Sequence, residues 1–140
     1  MIDIAIARIT HIGWERQLKS LLSNKHEYIK ISDHRSCNLG LWLYDSAIER
    51  YDDIPEVRLL EEEHRLFHLA ADRIIKWHNK PGVSIKAEAQ SQIDYEEVTR
   101  RSREIIYLLT ILEFELVHQT QSWHAIKSPL RKLKQIFSRR

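Results

Sequence analysis

His64 and His68 are four residues apart on one apolar stripe of the chain. On an α-helix that spacing sets two side chains about 40° apart around the axis and one turn apart along it, so both imidazoles can reach one ion. His11 falls on a second apolar stripe, and the single cysteine, Cys37, opens a third apolar segment. One histidine on an apolar face is ordinarily a hydrogen-bonded core residue, and one buried cysteine is ordinarily a small hydrophobe. Four such side chains on inward faces mean something else, because three imidazoles and a thiolate form a tetrahedral donor set. Zinc suits that set, since its filled d shell imposes no other geometry and accepts mixed nitrogen and sulfur ligands. One zinc per chain, held by His11, Cys37, His64 and His68, is the expectation. Four protein ligands leave no open position for water or substrate, which is the arrangement of structural or regulatory zinc.

Other chemistry finds less support. A Cys37–histidine nucleophile pair would need an oxyanion hole and a cleft, for which the sequence offers no candidate, and no glycine-rich phosphate loop is present. Two Glu-x-x-His pairs, Glu61/His64 and Glu115/His118, match the di-iron signature of ferritin-like bundles, so a di-iron oxidase is the alternative reading. The run of three glutamates before His64 makes the first pair nearly inevitable, however, and no bridging glutamates stand at matching depth on the other helices. His26, His34, His78, His118 and His124 are expected in solvent, in loops or at helix ends. Gly40 is expected to let another helix come close, Trp42 to wall the site against water, and Trp77 to pack.

The elements that must position these groups are helices. Three glycines and three prolines in 140 residues leave few places for sharp turns. His11, Trp14, Leu18 and Leu21 mark the inward face of a helix over about 2–22. A shorter helix over about 37–50 places Cys37, Leu41, Tyr44 and Ile48 on one face. The next helix starts at an N-cap Asp53, with Pro55 in its first turn and Glu56 in capping-box position. Its inward stripe is Val57, Leu60, His64, Phe67, His68, Ala71 and Ile75, and the sequence Asn-Lys-Pro-Gly at 79–82 stops it. No glycine or proline interrupts 83–128, which predicts a last helix much longer than its predecessor, so that beyond about Leu112 the apolar Leu116, Val117 and Trp123 are expected to outrun their neighbours. The fold class expected is all-α, an antiparallel four-helix bundle with a long C-terminal helix. The bundle is expected to span residues 1–126 and a basic amphipathic tail residues 127–140.

The formal net charge of +2 hides an uneven distribution. Six Lys or Arg and no acid fall from Leu116 onward, leaving a mildly acidic body with 16 basic and 20 acidic residues. In the tail, Leu130, Leu133, Ile136 and Phe137 recur at helical spacing among basic residues, a pattern for docking a partner or touching an acidic membrane surface. The acidic body and the lack of a reading motif argue against nucleic acid. No apolar run reaches the roughly 20 residues of a membrane span, and the start lacks the basic residues of a signal peptide. A single cysteine allows no internal disulfide, so a cytoplasmic location is expected.

These residues also resemble a family. His11-Ile-Gly-Trp14, then 22 residues, Cys37-Asn-Leu39-Gly40-Leu-Trp42-Leu43, then 20 residues and His64-xxx-His68 are similar to the signature of the chemoreceptor zinc-binding (CZB) domain. The segments "IPEVRLL" (54–60) and "IYLLT" (106–110) look like the subgroup fused to zinc-inhibited diguanylate cyclases. The resemblance implies a zinc sensor built as a four-helix bundle, commonly a homodimer, with the same four ligands. It implies bacterial signal transduction through a chemoreceptor or a cyclic-di-GMP-making enzyme. No GGDEF signature and no receptor coiled coil follow in this chain, so the output partner is expected to dock non-covalently, on the long helix or the basic tail, or to lie in a longer protein. Oxidation of the Cys37 thiolate would release the metal, which makes redox sensing a variant of the same mechanism.

Overall fold

The computed structural model describes residues 2–24, 28–80, 82 and 84–125, with side chains through residue 118. Among them every regular element is helical: α1 (Ile4–Ser23), α2 (Asn38–Trp42), α3 (Ile48–Arg50), α4 (Pro55–Asn79) and α5 (Ile85–Ala125). A π-helical turn, Leu43–Ala47, joins α2 to α3 without a break, so the described residues form four helical rods, and their packing supports a bundle. No described helix is long and apolar enough to cross a membrane. The basic tail, 127–140, and His26 lie outside the described residues, as do the side chains of Trp123 and His124.

α1 opens where Asp3 accepts a hydrogen bond from the Ile6 amide at 3.1 Å. It buries Ala7, His11, Leu18 and Leu21 and keeps Trp14 half-buried against the core. α4 and α5 form the most extensive pairing. Arg73 of α4 reaches Asp94 (3.0 Å) and Glu97 (2.7 Å) of α5, and Arg101 of α5 grips both oxygens of Glu63 at 3.0 Å. α1 is fastened to α5 by Arg8, which donates to Thr110 at 3.0 Å and pairs with Glu113 at 2.6 Å. Leu18, Leu21, Leu60, Phe67, Ile74, Ile105, Leu109 and Leu112 fill the space between these helices. Each such side chain contributes about 1.5–3 kcal/mol by leaving water. At 41 and 25 residues, α5 is about 60 Å long against about 37 Å for α4.

Three expectations are corrected. The N-cap of α4 is Ile54, with extended backbone (φ −102°, ψ 104°) and no side-chain cap, rather than Asp53. The residue before a proline is driven out of the helical region, and Ile54 is buried there, so the cap serves the core instead of supplying an acceptor. The inward face of the short rod is Leu39, Leu43 and Ala47, whereas Leu41 is 47% exposed and Tyr44 and Ile48 are half-buried. Cys37 precedes the helix, so helical phase does not set its direction, and the wide π turn favours an i, i+4, i+8 stripe over the 3.6-residue pattern. Leu116, expected to outrun its neighbours, is buried at 8% exposure.

Candidate metal centre

Three helical rods meet at one point. His11 comes from the middle of α1, His64 and His68 from the middle of α4, and Cys37 from the N-cap of α2. Their exposures are 1%, 0%, 7% and 4% respectively. One donor atom from each, the cysteine Sγ and one nitrogen per ring, lies within 4.8 Å of all the others. Cys37 Sγ is 3.2 Å from His64 Nε2 and 3.8 Å from His68 Nε2, and the two Nε2 atoms are 3.1 Å apart. Around a tetrahedral zinc with ordinary bond lengths, N···N spacings are about 3.3 Å and N···S spacings about 3.6 Å. The donor set therefore fits such an ion in both chemistry and spacing.

Local structure aims the donors. His11 Nδ1 lies 2.8 Å from the Ala7 carbonyl one turn earlier and donates to it, which puts the proton on Nδ1 and turns the lone pair of Nε2 inward. That Nε2 is buried without a hydrogen-bond partner, as a ligand nitrogen without its ion would be. His64 Nδ1 finds no hydrogen-bond partner among the described residues. Cys37, with extended backbone (φ −74°, ψ 162°), accepts the Gly40 amide on its sulfur at 3.4 Å. A thiolate at a helix start is favoured by the free amides there.

Gly40 explains why that geometry is available. A Cβ on Gly40 would stand 1.8 Å from the His34 carbonyl oxygen, so the loop before Cys37 packs directly on the first turn of α2. The close approach expected at this glycine is real, but the approaching group is the preceding loop, not another helix. Trp42 does not wall the site; it lies beside Tyr51, ring centroids 6.4 Å apart. Trp14 and Phe67 do so instead. Trp14 stands 4.9 Å from His11 and 5.4 Å from His68, and Phe67 5.4 Å and 5.5 Å from the same two rings. Trp14 was legible as a wall, being one turn from His11 on its own stripe.

Burial dominates the electrostatics. It holds His64 down at about 2 and His68 at about 3, with repulsion from His11 next in each case. His11 is lowered for the same reason, opposed by its bond to Ala7. Burial pushes the Cys37 thiol up, against the Gly40 and Leu39 amides. The imidazoles are thus neutral, the form a metal needs, and a bound cation would reverse the balance at the thiol by favouring thiolate.

The di-iron alternative does not assemble. No carboxylate belongs to the cluster, the one potential metal group found among the described residues. Glu115 and His118 are exposed on α5, where His118 stacks on Phe114 at 4.0 Å. His34, expected in solvent, is half-buried, 6.4 Å from the His68 ring.

Comparison with known families follows the same residues. Residues 11–75 match the chemoreceptor zinc-binding domain. The CZB match begins at His11, contains all four cluster residues and covers 65 of 140 residues, α5 lying outside it. No curated protein and no solved structure matches the chain significantly.

Proposed function

We propose that this chain is a zinc-binding regulatory domain, with one zinc per chain held by His11, Cys37, His64 and His68. The observation that carries the reading is the convergence of four buried donors, three nitrogens and one sulfur, at tetrahedral spacing, inside a segment that matches the CZB family. Four protein donors fill a zinc shell, which supports a sensor over a catalyst. The residues hold the ion as neutral imidazoles and a thiolate, and the ion supplies a charge centre that ties α1, the α2 rod and α4 together. Loss of the ion frees the short cysteine-bearing rod and biases the long α5, which becomes the output lever. Oxidation of Cys37 acts through the same linkage by removing a ligand.

The finer architecture belongs to the same proposal. The ion pairs ascend α5 as they descend α4, which supports an antiparallel bundle. Ile6 and Ile9 on α1, with Tyr107, Phe114 and Val117 on α5, remain exposed and suit an isologous homodimer. A diguanylate cyclase or chemoreceptor would then be read through α5 or the basic tail, in the cytoplasm.

Metal analysis of the purified chain tests the reading: one zinc per chain is expected, and helical circular dichroism should persist after chelation, because the apolar core does not include the ion. Two irons per chain would restore the oxidase alternative, and collapse of the helices on chelation would indicate a purely structural zinc.

A further inference from the structure

The four donors are nearly sealed, so a zinc ion needs a way in. One cleft of about 310 Å³ reaches the centre from solvent. Its lining includes Ile31, Asp33 and His34 from the loop before Cys37, and His68, Asp72 and Ile75 from α4. His68 alone among the four donors lines it. It is also the most exposed of the four. Trp14 and Phe67, which stand against His11 and His68, do not line it.

His34 stands in this cleft. Its ring centroid lies 6.0 Å from that of Tyr44 and 6.4 Å from that of His68. Its main chain is what packs on Gly40, so the imidazole can change rotamer without disturbing the loop. Two imidazoles sharing one zinc at ordinary bond lengths have ring centroids about 5–6 Å apart. The observed separation is just outside that range, within reach of a small side-chain rotation. Asp33 adds negative charge at the cleft, which raises the local concentration of cations, while Asp72 is paired with Lys76 at 2.7 Å.

We propose that this cleft is the route of zinc exchange and that His34 is an exchange ligand, binding the incoming or outgoing ion in concert with His68 without belonging to the resting site. This rests on the zinc reading above. Zinc tolerates a fifth ligand transiently, so a bond to His34 can form before a resting bond breaks. Both partners bind through an imidazole nitrogen, so the hand-over between them needs no electron transfer. An exchange ligand lowers the barrier in both directions and leaves the equilibrium nearly untouched.

The test uses the full chain and Zn²⁺ itself. Zinc stoichiometry and Kd are measured by competition, the association rate by stopped flow, and the release rate by transfer to an excess of chromophoric chelator. His34→Ala should slow uptake and release together by about tenfold while Kd moves by less than about twofold. His34→Gln, which keeps size and polarity without an imidazole nitrogen, should behave alike, and free imidazole in the buffer should restore exchange in either variant. Unchanged rates in a zinc-loaded variant overturn the proposal but leave the zinc site standing. Release accelerated in step with a weakened Kd makes His34 a resident ligand and also overturns it. A wild-type chain that binds no zinc removes the proposal and the zinc reading together.

Discussion

The two halves of the candidate metal centre are built differently. The three histidines stand mid-helix on α1 and α4, which are 20 and 25 residues long and fixed to α5 by core packing and by ion pairs. The cysteine stands at the start of a rod only 13 residues long, made of two short α segments around a π turn and preceded by irregular chain. Its sulfur is placed by a backbone contact that one missing Cβ permits. Three donors are thus set by a frame that the bundle needs anyway, and the fourth by a local arrangement with little else to hold it. A sensor needs that asymmetry, because a site rigid on every side would change nothing when it emptied.

Breaking the weaker half outright should give the largest effect. Structural zinc binding of about 10–16 kcal/mol spread over four ligands makes each worth about 3 kcal/mol, or about a hundredfold in affinity. Cys37→Ser should lose at least that much in a chelator competition, far more than His34→Ala, with the helices intact by circular dichroism. Full zinc retention in Cys37→Ser would show that the donor set is wrongly drawn.

Gly40→Ala should come next, although it removes no ligand. Its methyl group would overlap the His34 carbonyl, and neither backbone can yield without moving Cys37. Overpacking of this kind costs about 1–3 kcal/mol, and displaced support around a ligand weakens metal binding by about 10- to 100-fold. Gly13→Ala is the control, since nothing lies within 4 Å of a Cβ there. Equal zinc affinity in the two variants would mean that the loop contact does not place the sulfur.

The same asymmetry governs what the sequence made legible. On the long helices, 3.6-residue periodicity identifies the inward stripes, apart from Ile75, which is half-buried while Ile74 fills the core, and brings His11, His64 and His68 to one place, because burial of apolar faces leaves one rotation available. Along the short rod the periodic argument failed: Leu41 was placed inward and Leu39 was missed. A cap residue and a π turn both break the phase on which periodicity depends. Cys37 reached the cluster through the N-cap conformation and Gly40, contacts between backbones that residue types do not display. The wall was misplaced for a related reason, since Trp42 follows the phase of the rod and Trp14 that of α1.

Acid sharpens the comparison from the frame side. His64 and His68 are held near 2 and 3 in the folded chain, against about 6.5 when unfolded. Below 6.5 the unfolded chain takes up protons that these buried imidazoles refuse. Stability present above that pH is therefore lost as pH falls toward the folded values. For the metal-free protein the two histidines together should remove about 1.4 kcal/mol between pH 7 and pH 6. Urea unfolding at the two pH values measures it, and His64→Ala should flatten the dependence by the His64 share, leaving that of His68 and of the likewise lowered His11. A metal-free chain equally stable at both would mean that the histidines are hydrated in solution and the frame is looser than it looks.

The smallest effect should come from the frame's own fastening. Arg8 pairs with Glu113 at 2.6 Å and donates to Thr110, one turn before His11. Both charges are partly in water, with side-chain exposures of 25% and 49%, so Coulomb attraction is screened and Arg8→Ala should cost less than about 1 kcal/mol. Zinc affinity should not change, because Ala7, His11, Leu18 and Leu21 keep α1 seated after the ion pair is gone. If Arg8→Ala instead weakened zinc as much as Gly40→Ala, α1 would have to be as loosely held as the cysteine rod. The division between a standing frame and a conditional fourth ligand would then fail, and movement of α1 along α5 would replace release of the short rod as the signal.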